Sequence, residues 1–213
     1  MGRLKQKRSV TALPNIPKIV ATRTLAQTRL FEVEGVSLRF ANGVEADYER
    51  LVGSPQGAIL IVPMLDSETV LLVREYAVGV ERYELTLPKG KIDVGESQLE
   101  AAGRELSEEV GYGAKRLTHL TSMSVAPGYL RHMTHIVVAE DLYPYRTQGD
   151  EPEELEVVPC RLSELELLIA REDCSEARTI AALYMTRDLF RERAEAPPLS
   201  PLSTPQGETD GGV

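Results

Sequence analysis

Alternating apolar and polar residues in the first quarter of the chain predict a small antiparallel β unit. The segments 30–34 and 36–40 alternate on either side of a glycine, which predicts two short strands. Asn42-Gly43 then predicts a tight turn before a strand at 44–51. This unit precedes the main apolar runs, so we expect it to have a task of its own, such as pairing with another subunit.

The middle of the chain predicts a buried sheet. The apolar run at 57–65 is long enough only for a buried strand, and a polar turn follows it. Further strand patterns lie at 69–74, 81–87, 117–124, 133–140 and 157–158. Because a helix pattern falls among these strands, we predict an α/β fold in which a mixed sheet lies in layers with helices.

The central helix has clear signals at both ends. Ser97 and Glu100 match a capping box, and Gly111 matches a helix stop. Apolar or small residues recur between them at helical spacing, which predicts one stripe against the core: Leu99, Ala102, Gly103, Leu106 and Val110. Gly103, a poor helix former, is expected to permit a close approach by whatever packs there.

Two more helices are predicted near the C-terminus. Ser163 and Glu166 form a second capping-box pattern, which predicts a helix to about Arg171. A last helix is predicted from about Ser175 to Ala194.

Composition limits the classes of function. The net charge of −9 over 213 residues is unlike a nucleic-acid-binding surface, so we expect no DNA partner. Two cysteines are too few for a disulfide framework or a thiolate zinc site. We find no signal peptide and no apolar stretch long enough to span a membrane. We therefore expect a cytoplasmic protein without a membrane partner.

Three glutamates share one edge of the central helix. Glu105 and Glu109 are one turn apart, and Glu108 lies on the adjoining flank. Crowded carboxylates repel each other, so one would hold its proton unless a cation neutralised them. Mg²⁺ prefers oxygen ligands and also contacts substrate phosphates, so the crowding favours a metal site. A solvated acidic helix face is the alternative.

The pattern around these glutamates is more specific than an acidic helix. Its fixed positions are Gly90, Glu96, Arg104, Glu105, Glu108, Glu109 and Gly111. Their identities and spacing resemble the Nudix box, the signature of hydrolases that cleave a nucleoside diphosphate linked to another group. Tyr112 is the one departure, because an aliphatic residue is more usual there.

Segments outside the box resemble the ADP-ribose pyrophosphatase branch and, within it, the ADP-compounds hydrolases. These segments are 71–79, 83–90, 142–144 and 149–153. The resemblance implies a Nudix fold and Mg²⁺-dependent hydrolysis of ADP-ribose, NADH and diadenosine triphosphate, usually releasing AMP, with Mn²⁺ able to replace Mg²⁺. It also implies a homodimer whose N-terminal strands contribute to the partner's site. We accordingly expect four segments: a flexible N-terminus at 1–16, a dimerising β unit at 17–54, a hydrolase domain at 55–195 and a disordered tail at 196–213.

The resemblance also implies roles for the box residues. Glu105 and Glu109 match the principal metal ligands, Glu108 matches a further ligand or base, and the carbonyl of Lys89 matches a backbone ligand. Glu96 and Arg104 match a pair that holds the preceding loop against the helix and so orients the ligands. A plain surface ion pair is the alternative for these two residues.

The general base is left open by the sequence. Related enzymes use a glutamate in a loop between the later strands, but the stretch 127–133 contains no acid. The candidates are His132, Glu108, and Glu151 and Glu153 of the acidic loop. His132 and His135 have an odd spacing, which in an extended segment points them to opposite faces, unlike a metal-binding pair.

Four further residues are candidates for substrate binding. Arg74, at a strand end, suits a phosphate clamp, or else is a solvated charge. Arg50 and Tyr48 of the N-terminal unit are candidates for contacting phosphate and stacking on adenine. Glu84 is a candidate contact for ribose or metal.

Three other functions are considered alongside broad ADP-compound hydrolysis. They are a strict ADP-ribose pyrophosphatase, an enzyme that removes an NAD cap from RNA, and a non-catalytic nucleotide-binding regulator. A regulator is expected to lose one or more box carboxylates, and all of them are present here.

Overall fold

The computed structural model describes residues 15–149 and 151–195. The predicted flexible N-terminus and disordered tail therefore lie almost wholly outside the described residues. No helix within the described ranges is both long and apolar enough to cross a membrane.

The N-terminal sheet is an antiparallel meander extended by one short parallel strand. In spatial order it contains β1 (Lys18–Gln27), β2 (Glu32–Arg39), β3 (Glu45–Val52) and β9 (Leu130–Arg131). The turn at Asn42-Gly43 is confirmed, with Gly43 at a φ of 84°. The prediction of two strands around Gly35 is wrong, because Gly35 is paired within β2 with Arg23 on one side and Glu49 on the other.

The central sheet is mixed, as predicted. Its order is β7 (Lys89–Lys91), β4 (Ala58–Pro63), β10 (Thr134–Pro144) and β8 (Tyr112–Met123). β4 and β10 are parallel, whereas the other pairs are antiparallel. A third, antiparallel sheet has the order β11 (Glu156–Arg161), β5 (Thr69–Ala77) and β6 (Arg82–Thr86).

Helices cover both faces of the buried strands. Alternate residues of β4 enter two apolar clusters, one with Leu60 and Val62 and the other with Ile59 and Ile61. The first cluster includes residues of α3 (Ala177–Glu195), and the second includes residues of α1 (Gln98–Glu105). The predicted α/β layering is therefore confirmed.

The central helix begins and ends where the sequence predicts. The Ser97 hydroxyl accepts a hydrogen bond from the N–H of Glu100, and the Glu100 carboxylate accepts one from the N–H of Ser97. After α1 the chain continues as a π-helical turn (Leu106–Val110) and stops at Gly111, which has a left-handed backbone.

Two expectations for the core-facing stripe of this helix are wrong. Leu99 remains 41% exposed, because Ala101 and Ala102 form the buried face of α1. A methyl group on Gly103 would meet its nearest neighbour, Leu117, at an ordinary 3.8 Å, so close packing does not require a glycine there.

The second capping box does not form. A 3₁₀ turn (Leu162–Glu164) precedes α2 (Leu165–Ile169), whose N-cap residue is Glu164 and makes no side-chain cap bond. Ser163 lies inside that turn, which places it one residue before the cap position. α2 also ends earlier than predicted, at Ile169.

Candidate active site

The box carboxylates lie where α1 changes into the π-helical turn. Glu105 is the last residue of α1, and Glu108 and Glu109 lie in the turn. π-helical turns are rare and often occur at functional sites. Glu105 and Glu109 are buried, whereas Glu108 is only half-buried. Two of the three box carboxylates therefore lie inside the protein, on either side of this change in helical pitch.

Arg104 joins the loop before the helix to the carboxylates. Its guanidinium donates to Glu96 in a bidentate arrangement at 2.9 and 3.1 Å, and to the Lys91 carbonyl at 2.9 Å. The same group donates to Glu105 at 2.7 Å and to Glu108 at 3.3 Å. The hydrogen bond from Arg104 lowers the pKa of Glu96. This geometry goes beyond an isolated surface pair, since one cation contacts three carboxylates.

Glu109 lies against β7. Its carboxylate accepts a hydrogen bond from the Lys89 backbone N–H at 3.2 Å. Burial raises the pKa of Glu109 to about 8; the charges of Glu105 and Glu75 act in the same direction, and that of Lys89 opposes them. A buried carboxyl of this kind gains from a nearby cation.

Glu75 is a site residue that the sequence reasoning missed. It accepts a hydrogen bond from the Lys89 ammonium, which also contacts the Thr86 hydroxyl at 3.4 Å. Strand alternation along β5 was the available signal, because Glu75 continues the face that carries Leu71 and Val73 toward α1.

Gly90 lets the backbone of β7 pass directly beside Glu105. A methyl group at this position would overlap the Glu105 carboxylate, which is buried and held by Arg104. The box glycine is therefore required by a close approach rather than by its backbone angle.

The acidic loop completes a cleft over these residues. Two adjoining cavities of about 400 and 650 Å³ share Glu105, Glu108, Glu109 and Glu151 in their lining. We call this space the carboxylate cleft. Glu153 lines the smaller cavity and accepts a hydrogen bond from the Tyr83 hydroxyl at 2.9 Å, a contact that raises the pKa of Tyr83. The helix that carries the box glutamates and the acidic loop, about 45 residues apart in sequence, thus both contribute carboxylates to one cleft.

Two family models match the chain in succession. The model of the NudE-type Nudix hydrolase N-terminal domain matches residues 17–50, and the NUDIX domain model matches residues 54–183. The chain belongs to the Nudix hydrolase family. It is thus a pyrophosphohydrolase, as the box predicts.

Similar proteins cover most of this Nudix chain. The ADP compounds hydrolase NudE of Escherichia coli (strain K12) is 49% identical over 175 residues, which span 82% of this chain and 94% of that protein. The ADP-ribose pyrophosphatase of Bacillus subtilis (strain 168) is 29% identical over 173 residues, 78% of this chain and 92% of that protein. A crystal structure of an ADP compounds hydrolase superposes with a TM-score of 0.80 at 45% identity, covering 87% of this chain and all of that one.

Nudix hydrolases generally depend on a divalent metal, and the residues of the cleft fit one. Three carboxylates and the nearby Lys89 carbonyl form an all-oxygen donor set, which hard cations prefer. Within residues 15–149 and 151–195, however, no three His, Cys, Asp or Glu side chains are already arranged to hold one ion. Arg104 instead contacts Glu105 and Glu108. Arg104 thus places a positive charge beside these two carboxylates.

Two predicted substrate contacts have other partners in the structure. The Arg74 guanidinium donates to Glu156 at 2.8 Å and to Asp173 at 2.6 Å. Glu84 is buried and accepts hydrogen bonds from the backbone and hydroxyl of Ser175, at 2.9 and 3.0 Å. Arg74 is therefore not a solvated strand-end charge, and both residues fasten the segment before α3 to the third sheet.

The remaining candidates lie outside the carboxylate cleft of this chain. Arg50 pairs with Glu34 at 2.8 Å, and Tyr48 is 47% exposed on β3. His132 lines a different cavity, together with His135. The expectation that these two histidines point to opposite faces is wrong, because β10 begins only at Thr134 and strand alternation does not extend back to His132.

Proposed function

We propose that this chain hydrolyses the pyrophosphate bond of ADP-linked compounds, including ADP-ribose, NADH and diadenosine triphosphate, and releases AMP with Mg²⁺ as the preferred ion. One observation carries the proposal: the three box glutamates and the acidic loop line a single cleft. The name of the Escherichia coli relative, which matches over nearly its whole length, supports the substrate class.

In this proposal Glu105, Glu108, Glu109 and the Lys89 carbonyl hold the metal. The bound ion would lower the pKa of a water molecule and withdraw charge from the pyrophosphate oxygens. Arg104 keeps the carboxylates oriented through its bonds to Glu96 and the Lys91 carbonyl. The Lys89 ammonium, held by Glu75 in the lining of the cleft, offers a positive charge to the substrate phosphates.

We propose Glu151 as the general base. It lines both cavities of the cleft, whereas Glu153 lines only the smaller one. We expect Glu151→Gln to lower kcat about 100-fold or more, and Glu153→Gln to lower it less. Tyr83→Phe is the control that removes only the hydroxyl. Equal losses for both glutamate variants would contradict the assignment to Glu151.

The substrate class is tested by measuring AMP release from ADP-ribose, NADH and diadenosine triphosphate side by side, and release of nicotinamide mononucleotide from NAD-capped RNA. We expect turnover of the three small compounds in millimolar Mg²⁺. Efficient turnover of ADP-ribose alone would favour a strict ADP-ribose pyrophosphatase. Efficient turnover of NAD-capped RNA alone would favour an enzyme that removes the NAD cap. If the folded protein hydrolysed none of the four compounds, the result would favour a non-catalytic regulator.

We also propose that the chain forms a homodimer through its N-terminal sheet, in the cytoplasm. All ten residues of β1 are exposed, among them Ile19, Val20 and Leu25. Long exposed edge strands with apolar side chains tend to pair with another chain. In such a dimer Arg50 and Tyr48 are proposed to reach the partner's cleft. Light scattering after gel filtration should give a dimer for the wild type and a monomer for Leu25→Glu; a wild-type monomer would overturn the proposal.

A further inference from the structure

A second polar cavity lies where the N-terminal sheet joins the central sheet. It has a volume of about 390 Å³ and lies between the loop at 53–57 and the segment at 131–135. Arg131, His132 and His135 are its ionisable lining residues. We call it the histidine cavity, because the third histidine of the chain, His119, lies directly behind it.

The charge of this cavity is opposite to that of the rest of the molecule. The chain carries a net charge of −9, yet no aspartate or glutamate is among the described residues that line the cavity. Burial lowers the pKa of His132, and the nearby charges of Arg178 and His135 lower it further. Burial and His119 likewise lower the pKa of His135, and a backbone hydrogen bond with Gln56 opposes them. An anion in the cavity would favour the protonated form of both rings.

Hydrogen bonds from behind orient the imidazole of His135. Its Nδ1 lies 2.7 Å from the Ser122 hydroxyl, which in turn lies 3.0 Å from His119 Nε2. The opposite edge of the ring faces the loop, since a methyl group on Gly57 would lie 3.3 Å from His135 Nε2, and the ring also makes a hydrogen bond with the Gln56 backbone. The ring is therefore positioned rather than freely rotating.

His132 is packed against the same loop. A methyl group on Gly53 would lie only 2.7 Å from His132 Nδ1, so the absence of a side chain at Gly53 lets this ring approach the backbone. Ser54 and Gln56 also line the cavity, and the Ser54 hydroxyl donates to the Gln56 side-chain oxygen at 3.3 Å. Cationic and amide side chains therefore share one space of a size that admits a small ligand.

We propose that the histidine cavity is an anion-binding site for a phosphate group, either as inorganic phosphate or as a phosphate monoester. Several neutral and cationic donors without a carboxylate suit a multiply charged oxyanion. A metal cation is disfavoured, because Arg131 would repel it and the described residues contain no metal-ligand cluster. The site is separate from the carboxylate cleft and does not depend on the proposed hydrolysis.

Proton NMR of the full-length chain tests this site directly, because only three histidine ring signals need to be followed. The signals are assigned from the single variants His119→Gln, His132→Gln and His135→Gln. Protein freed of metal on a chelating resin is titrated at pH 6.5 with inorganic phosphate, AMP or adenosine at constant ionic strength. We expect phosphate and AMP, but not adenosine, to shift the His132 and His135 signals saturably. Binding of AMP but not phosphate would limit the site to monoesters.

Arg131→Gln is expected to raise the apparent Kd for phosphate about tenfold, the effect of losing one charge-assisted hydrogen bond. Arg39→Gln removes an exposed arginine of β2 and should leave the Kd unchanged. Glu109→Gln should also leave it unchanged, because that residue belongs to the carboxylate cleft. The proposal is overturned by signals that stay fixed up to about 50 mM phosphate, by an unchanged Kd in Arg131→Gln, or by loss of binding in Glu109→Gln.

Discussion

The carboxylate cleft and the histidine cavity are assembled from the sequence in different ways. The cleft takes most of its residues from one stretch, 89–109, and one acidic loop. The histidine cavity and its backing residues come from three separate segments, at 53–57, 119–122 and 131–135. The two sites also carry opposite charge. The spacing of residues in the sequence can predict a site that lies on one helix. It cannot predict a site whose residues are brought together by the register of separate strands.

The largest expected effect is on hydrolytic activity, which should depend on the carboxylate cleft and not on the histidine cavity. Glu109→Gln should lower turnover of ADP compounds about a thousandfold or more, because it removes a buried charged ligand from the cleft. His132→Gln should leave kcat within about twofold, since His132 is not among the described residues that line the carboxylate cleft. Steady-state assays at saturating Mg²⁺ measure both. A fully active Glu109→Gln variant would contradict the assignment of metal ligands.

A second comparison uses two glycines of the Nudix box region with different surroundings, Gly90 and Gly103. Gly90→Ala should lower kcat about 100-fold with little loss of stability, because its methyl group displaces the Glu105 carboxylate. Gly103→Ala is the matched control within α1, where the methyl group has room and should stabilise the helix by about 0.5–1 kcal/mol. Activity and thermal unfolding should be measured on the same preparations. Normal kcat in Gly90→Ala would show that Glu105 need not stay in place.

The buried charge of Glu109 should also affect stability. Its pKa is raised from 4.5 to about 8, so the folded protein binds more protons than the unfolded chain between these pH values. Stability without metal should therefore fall as pH rises through this window. Glu109→Gln should remove that decrease and raise Tm by about 5 °C at pH 9. Parallel pH dependences for the two proteins, measured calorimetrically after metal removal, would contradict this account.

The smallest expected effect concerns the two capping-box patterns. Ser97→Ala should lower the free energy of unfolding by about 1 kcal/mol, because Ser97 caps the helix that carries the carboxylates. Ser163→Ala should change it by less than about 0.5 kcal/mol, since no side-chain cap bond forms at α2. Urea unfolding measures both values. If Ser163→Ala lowered the free energy of unfolding as much as Ser97→Ala, Ser163 would stabilise the protein without forming a side-chain cap hydrogen bond.

Local signals were reliable where neighbouring residues decide the structure. Ser97 with Glu100, and Gly111, correctly predicted both ends of the central helix, because caps satisfy backbone groups within one turn. The same kind of pattern failed at Ser163, where a 3₁₀ turn shifts the cap position by one residue. The π-helical turn after Glu105, which contains Glu108 and the buried Glu109, had no signal in the sequence.

The sequence by itself determined the family, the layered α/β fold and the row of glutamates on one helix, because these depend on residue identities at short, regular spacings. Only the tertiary structure decided which distant residues meet. Arg74 contacts Asp173 across 99 positions, and Ser175 contacts Glu84 across 91, so two residues predicted to bind substrate also fasten a loop. Strand register and loop packing bring such pairs together, and neither leaves a periodic mark in the sequence.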